Sequence, residues 1–86
     1  MARIVIYTTN YCSYCRAAKA LLNSKNIPFE EIDVSDDPDK RAEMEKLSGR
    51  WTVPQIFIDG VAIGGFDNLR QLESTGDFER LMQQTR

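Results

Sequence analysis

Two cysteines separated by two residues are the groups of this chain best suited to chemistry. Cys12 and Cys15 are the only cysteines among its 86 residues, and the sequence contains no histidine. Two thiols cannot supply the four ligands of a structural zinc site within one chain. A disulfide between these positions would close a loop too small to stabilise a fold much. The pair is therefore interpreted as reactive thiols for thiol–disulfide exchange.

The cysteine pair follows an apolar stretch, residues 3–8, and precedes a segment with helical periodicity. It thus lies at a strand-to-helix junction, where free backbone N–H groups and the helix dipole favour the thiolate form of a cysteine. Cys12, at the start of the helix, is the predicted nucleophile. Cys15, one turn further on and nearer the sheet, is the predicted resolving thiol. The alternative is that both are ordinary buried apolar residues.

The first part of the chain is predicted to form a βαβ unit. A strand at about residues 3–8 leads into a helix from Ser13 or Tyr14 to Ser24, and a second strand covers residues 28–34. Two strands joined by a helix within ~30 residues favour a parallel, right-handed crossover.

A second helix is predicted after this unit. Residues 36–38 offer an acidic N-cap followed by proline at the first helical position, and Gly49 is expected to end the helix. Met44 and Leu47 are expected on its inward face.

The remaining strands are predicted to form a hairpin. Residues 55–58 and 61–64 flank Asp59-Gly60, a pair suited to a type I′ turn, so these strands should be antiparallel neighbours. Asp67 is then expected to cap a third helix, before a short last one. The predicted fold is α/β, with a four-stranded mixed sheet, βαβ then ββ, flanked by helices.

Length and composition restrict the classes of protein. The chain, with 42% hydrophobic residues, is long enough for one domain, residues 1–86, and too short for two. Its net charge of -2 arises from 11 basic and 13 acidic residues, without the basic stripe that binds nucleic acid. The apolar runs are far shorter than the ~20 residues that span a bilayer, and the N-terminus lacks a secretion pattern. We expect a cytoplasmic protein that binds neither nucleic acid nor membranes.

Four segments, in this order along the chain, resemble the glutaredoxins, in particular the small bacterial dithiol type. They are Ile6-Tyr7-Thr8 with Cys12-Ser13-Tyr14-Cys15, then Thr52-Val53-Pro54, then Gln55-Ile56-Phe57-Ile58 with its turn, and Gly64-Gly65 followed by Asp67. The resemblance implies a single glutaredoxin domain with a thioredoxin-like fold. It also implies reduction of protein disulfides and of glutathione mixed disulfides, with glutathione as the electron source.

The resemblance implies a docking edge for glutathione at Thr52-Val53-Pro54. Pro54 resembles the family's cis-proline, and Val53 would offer its backbone N–H and C=O to the cysteinyl part of glutathione. Tyr14 resembles a tyrosine that forms one wall of the glutathione groove. For an isolated X-Pro pair, the alternative would be a proline that only marks a turn. For Tyr14, the alternative is an exposed aromatic residue without a role.

The resemblance also implies that the third helix takes part in glutathione binding. Gly65 would give the ligand close access, and the helix start at Asp67-Asn68 would receive the γ-glutamyl carboxylate through backbone N–H groups. The alternative for Asp67 is a plain N-cap.

The sequence departs from the family pattern at two positions near the cysteines. Ser13 stands where proline is usual, which makes the turn more adaptable. Thr9 stands where lysine is frequent, so another cation would have to pair with the glycyl carboxylate of glutathione. Arg16, Arg41 and Arg50 are the candidates.

Two alternatives to this function stay open. In the first, two chains each donate Cys12 and two glutathione thiols complete a [2Fe-2S] site in a cluster-bridged dimer. The chain would otherwise be a monomer without a metal. In the second, thioredoxin reductase rather than glutathione supplies the electrons, because a fold does not determine the donor.

Overall fold

The computed structural model describes residues 3–83. The helices and strands in this part of the chain are β1 (Ile4–Thr8), α1 (Ser13–Ser24), β2 (Glu30–Asp33), α2 (Pro38–Ser48), β3 (Gln55–Ile58), β4 (Val61–Gly64), α3 (Phe66–Thr75) and α4 (Asp77–Gln83).

The four strands form one mixed sheet in the order β2-β1-β3-β4. β1 and β2 are parallel, whereas β3 is antiparallel to both β1 and β4. The predicted βαβ unit and hairpin are therefore confirmed. Asp59 and Gly60 have φ angles of 51° and 84°, the positive values that a type I′ turn requires at both central positions.

β2 is shorter than the predicted strand over residues 28–34. It covers Glu30–Asp33, because Pro28 has no N–H to donate and β2 lies at the edge of the sheet. Val34 still donates its N–H to Thr8 O at 2.8 Å, so the chain leaves the sheet directly after this contact.

The sheet has an apolar core on each face, because successive side chains of a strand point to opposite sides. The core on the side of α1, α3 and α4 consists of Ile4, Ile6, Ala18, Leu22, Ile56, Ile58, Leu69 and Phe78. The core on the side of α2 consists of Tyr7, Val34, Met44 and Phe57. Both cores support β1, the strand that ends just before the cysteine pair.

α2 begins and ends where predicted, but the prediction of an inward-facing side chain is wrong for one of two residues. Asp37 accepts a hydrogen bond from Lys40 N–H at 3.0 Å, and Gly49 ends the helix with a φ of 79°. Met44 is buried as expected, whereas Leu47 is 57% exposed. Leu47 lies at the rim of an open cleft between α2 and the sheet, which leaves its side chain in contact with solvent.

The predicted cap of α3 is also wrong. Gly65, not Asp67, is the N-cap, and Asp67 lies in the first turn of the helix. The side chain of Asn68 takes over the capping contact, since its Oδ1 accepts a hydrogen bond from Gly65 N–H at 3.1 Å. The helix therefore starts closer to the β4 end than the sequence indicated.

Candidate active site

Cys12 is the N-cap of α1, with extended backbone angles of -101° and 117°. Its Sγ accepts a hydrogen bond from Cys15 N–H at 3.3 Å. The sulfur thereby satisfies one of the backbone N–H groups that a helix start leaves without a partner. The side chain is only partly buried, so the positive end of α1 presents an accessible sulfur to incoming molecules.

Cys15 occupies the opposite environment. None of its surface is exposed, and it lies in the first turn of α1. Burial, with a smaller contribution from its hydrogen bond to Cys12, raises the pKa of the Cys15 thiol from 9.0 to about 12. The thiol is therefore protonated at neutral pH. Cys12 is thus the accessible sulfur and Cys15 the protected one, and their roles as nucleophile and resolving thiol stay predictions.

The segment Thr52-Val53-Pro54 lies beside the Cys12 sulfur. The Cys12 thiol donates to Val53 O, with 3.7 Å between sulfur and oxygen, and the Val53–Pro54 peptide bond is cis. The side-chain amide of Gln55 donates to Thr52 O at 2.9 Å and to Thr52 Oγ1 at 3.3 Å. Gln55 thus holds the segment in place from within β3.

An open groove of about 220 Å³ runs from this segment to the start of α3. It is lined by Tyr14, Arg50, Thr52, Val53, Pro54, Gln55, Gly65, Phe66, Asp67 and Asn68. The structure thus brings together all seven residues that the sequence analysis assigned to glutathione binding, although they come from three separate parts of the chain.

Phe66 is a groove residue that the sequence analysis missed. Its ring lies 6.3 Å from that of Tyr14, with 31° between the two planes. Tyr14 is 61% exposed, but Phe66 supports one side of its ring. The signal that could have revealed Phe66 is an aromatic residue directly after two glycines at the start of α3.

The three candidate cations occupy different environments. Arg50 lines the groove. Arg41 donates from Nε and Nη2 to Trp51 O at 3.2 and 3.0 Å, and its guanidinium lies 5.0 Å from the centre of the Trp51 ring. Arg16 is exposed on α1 and does not line the groove. Thr9 is buried, so its side chain is not available at the groove either.

The region from Arg3 to Gln83 contains no helix long and apolar enough to cross a membrane. Nor does it bring three or more His, Cys, Asp or Glu side chains together as a metal site would require.

The glutaredoxin family model matches residues 4–63. Glutaredoxin 3 of Escherichia coli (strain K12) is 49% identical over 83 residues, which cover 96% of this chain and 100% of that protein. The solution structure of glutaredoxin from Brucella melitensis is 51% identical, with a TM-score of 0.83, and covers 94% of this chain and 88% of that one. A crystal structure of a buckwheat glutaredoxin–glutathione complex is 26% identical, with a TM-score of 0.86, and covers 95% of this chain and 77% of that one.

The mixed sheet and its helices, together with these structural neighbours, define a protein with a thioredoxin-like fold. The chain belongs to the glutaredoxin family. The fold class and the family inferred from the sequence are thereby confirmed, and the relatives support a general role as an oxidoreductase.

Proposed function

We propose that this protein reduces protein disulfides and glutathione mixed disulfides with electrons from glutathione. The observation that carries the proposal is the 3.7 Å contact between Cys12 Sγ and Val53 O at one side of the groove. It means that a peptide-like thiol paired with the Val53 backbone would have its sulfur close to that of Cys12. The buckwheat relative described in complex with glutathione supports the choice of ligand.

Glutathione would bind along the groove in one direction. Its cysteinyl part pairs with the backbone of Val53, and its γ-glutamyl carboxylate meets the N-terminal N–H groups of α3 at Asp67 and Asn68. Its glycyl carboxylate points towards Arg50, the one of the three candidate arginines that lines the groove. Tyr14 forms the aromatic wall.

The reaction begins at Cys12. Its thiolate attacks the glutathione sulfur of a mixed disulfide, the bond to the substrate sulfur breaks, and the substrate thiolate leaves and takes up a proton. A second glutathione thiolate then attacks the bound glutathione, which releases glutathione disulfide and regenerates Cys12. With a protein disulfide, the Cys12 thiolate instead attacks one of the two protein sulfurs, the protein disulfide breaks, and the other protein sulfur leaves as a thiolate that takes up a proton. The Cys15 thiolate then attacks Cys12 Sγ, the Cys12–Cys15 bond forms, and the second protein sulfur leaves as a thiolate that takes up a proton. Two glutathione molecules then reduce the Cys12–Cys15 disulfide and leave as glutathione disulfide.

Replacement of each cysteine separates the two routes. We expect Cys12→Ser to abolish turnover with both substrate classes. We expect Cys15→Ser to retain reduction of small glutathione mixed disulfides, because this route uses one protein thiol, and to lose reduction of protein disulfides. Activity in Cys12→Ser, or none in a folded Cys15→Ser protein, would contradict the assigned roles.

The electron donor is tested by a direct comparison. Turnover with glutathione and glutathione reductase is measured beside turnover with thioredoxin reductase, on the same disulfide substrate. The proposal requires the glutathione system to be the faster one. A protein that accepts electrons from thioredoxin reductase alone would overturn it.

Cluster binding is a second candidate, favoured by the accessible Cys12 sulfur. Of the two thiols in one chain, only that of Cys12 is accessible, because Cys15 is fully buried. Two chains and two glutathione thiols would have to hold the [2Fe-2S] group, which would make the protein an iron–sulfur carrier. Anaerobic reconstitution with iron, sulfide and glutathione tests this. A brown dimer that loses its colour in Cys12→Ser supports cluster binding, and a colourless monomer contradicts it.

A further inference from the structure

An ion pair lies beside the resolving cysteine on the sheet side of α1. Lys19 Nζ is 2.9 Å from Glu31 Oε2, and Thr8 Oγ1 donates to the same oxygen at 2.7 Å. Thr8 is fully buried, and the side chains of Lys19 and Glu31 are about one third exposed. β1 and β2 therefore hold a carboxylate in contact with the ammonium group of α1.

Lys19 is placed to act on Cys15. The two residues are four positions apart on α1, so their side chains lie on the same face of the helix. Thr9 follows Thr8 at the end of β1, and its backbone N–H lowers the pKa of the Cys15 thiol. The Thr9 N–H and the Lys19 charge thus both favour the thiolate of Cys15.

The groups around Cys15 oppose each other. Burial and the adjacent Cys12 favour the neutral thiol of Cys15, whereas the Thr9 N–H and the Lys19 charge lower its pKa. Glu31 lies against Lys19. The hydrogen bond from Thr8 lowers the pKa of the Glu31 carboxyl group most, and the hydrogen bond from Lys19 lowers it further. The remaining charge that acts on Glu31 is that of Asp33, which raises the pKa of the Glu31 carboxyl group. Glu31 is therefore ionised at neutral pH and offsets part of the Lys19 charge.

We propose that Lys19 is a positioning residue that promotes the loss of the Cys15 proton during resolution, and that Glu31 moderates this effect by neutralising part of the Lys19 charge. The inference rests on the proposed function, because only a dithiol exchange needs Cys15 as a thiolate.

The step in question balances as a thiol–disulfide exchange. Cys15 loses its proton to solvent, and its thiolate attacks Cys12 Sγ in the mixed disulfide with glutathione. The Cys12–Cys15 bond forms, the bond between Cys12 and glutathione breaks, and glutathione leaves as a thiolate that takes up a proton. No further oxidant or reductant is needed.

The proposal predicts opposite effects for the two partners. If the pKa of Cys15 moves by about 0.5 to 1, the fraction of Cys15 present as thiolate changes about threefold to tenfold. A thiolate of higher pKa is also the stronger nucleophile, with a Brønsted slope of about 0.45, so the two effects partly cancel. The net change in the rate of resolution is about twofold to fourfold. Lys19→Met should slow resolution by this factor at neutral pH and move its pH profile upwards. Glu31→Gln should accelerate it by a similar factor and move the profile downwards.

Resolution is measured directly on the full chain. Reduced protein is mixed with glutathione disulfide, quenched with acid at successive times, and analysed by mass spectrometry for the adduct at Cys12 and its conversion to the Cys12–Cys15 disulfide. The series is repeated from mildly acidic to mildly alkaline pH. Lys19→Arg retains the charge and should restore the wild-type rate.

Glu30→Gln is the matched control, because Glu30 is also on β2 and pairs with Arg3 at 2.6 Å. Its ion pair involves β2 but not α1, so its resolution profile should equal that of the wild type. Equal profiles for Lys19→Met and wild type, or slower resolution in Glu31→Gln, would overturn this inference alone. A wild-type protein that forms no glutathione adduct at Cys12 would overturn the proposed function together with it.

Discussion

Gly65 lies against the backbone of Pro54, so that a Cβ atom at Gly65 would come within 3.3 Å of Pro54 O. This close approach joins the start of α3 to the segment beside Cys12. The φ angle of Gly65 is -95°, a value open to any residue, so the need for glycine here is one of space rather than of backbone conformation.

Gly65→Ala should therefore widen the groove. The added methyl group would push the start of α3 away from Pro54 and weaken contacts at both ends of glutathione. We expect the KM for glutathione to rise about threefold to tenfold, equivalent to ~0.7 to 1.4 kcal/mol. Steady-state kinetics with a small mixed disulfide provide the measurement, and thermal unfolding checks that the protein is folded. An unchanged KM would mean that the groove does not hold the ligand there.

Arg50→Met should weaken glutathione binding, because Arg50 is the cation at the groove. In the proposed binding mode, the pair between Arg50 and the glycyl carboxylate would be exposed to solvent, so its loss is expected to raise the KM by up to about fivefold. The difference from wild type should shrink as salt is added. Arg16→Met is the matched control, since Arg16 is an exposed arginine outside the groove. Equal effects of the two changes would exclude a specific role for Arg50.

The reduced protein should lose stability in alkaline solution because of Cys15. Its pKa is raised on folding from 9.0 to about 12, so between these values the folded state keeps a proton that the unfolded state has released. The free energy of unfolding contributed by this thiol therefore falls as pH rises through that window, and it is fully present below about pH 9.

Denaturant unfolding of the reduced protein at increasing pH measures this loss. Cys15→Ala serves as the reference, because it keeps the other groups that titrate in alkaline solution, including Tyr7, whose pKa burial also raises. The stability of wild type should fall more steeply with pH than that of Cys15→Ala. If the stabilities of wild type and Cys15→Ala fell equally with pH, the Cys15 thiol would have the same pKa in the folded and the unfolded protein.

Met44 and Leu47 should differ in their contribution to stability, although both lie on α2. Met44 is fully buried, so Met44→Ala should cost about 2 to 5 kcal/mol. Leu47 is 57% exposed, and Leu47→Ala should cost less than ~1 kcal/mol. Chemical denaturation of both variants makes the comparison. Similar losses would imply that the cleft beside Leu47 is closed in solution.

Local features of the fold were accessible from the sequence. The turn at Asp59-Gly60, the cap at Asp37 and the end of α2 at Gly49 depend on interactions within a few residues, so residue type and spacing were enough to predict them. Leu47 was assigned wrongly because helical periodicity indicates which face is apolar, and not how much of that face the sheet covers.

Parts of the candidate site depended on contacts that no local pattern contains. Cys12 and Val53 are 41 residues apart in the chain, and only the pairing of β1 with β3 brings them together. The same is true of Arg50, which the sequence did not distinguish from Arg16 and Arg41. Phe66 was missed because its contact with Tyr14 exists only when α1 and α3 pack together.

The sequence by itself determined the reactive group: two cysteines one helical turn apart at a strand-to-helix junction, where the free N–H groups of the helix start meet the first sulfur. The tertiary structure alone decided that Cys15 is completely buried, that Arg50 is the candidate arginine at the groove, and that α3 starts at Gly65. The physical reason is that spacing along a helix follows from covalent geometry, whereas burial and charge at a site follow from the segments that fold against it.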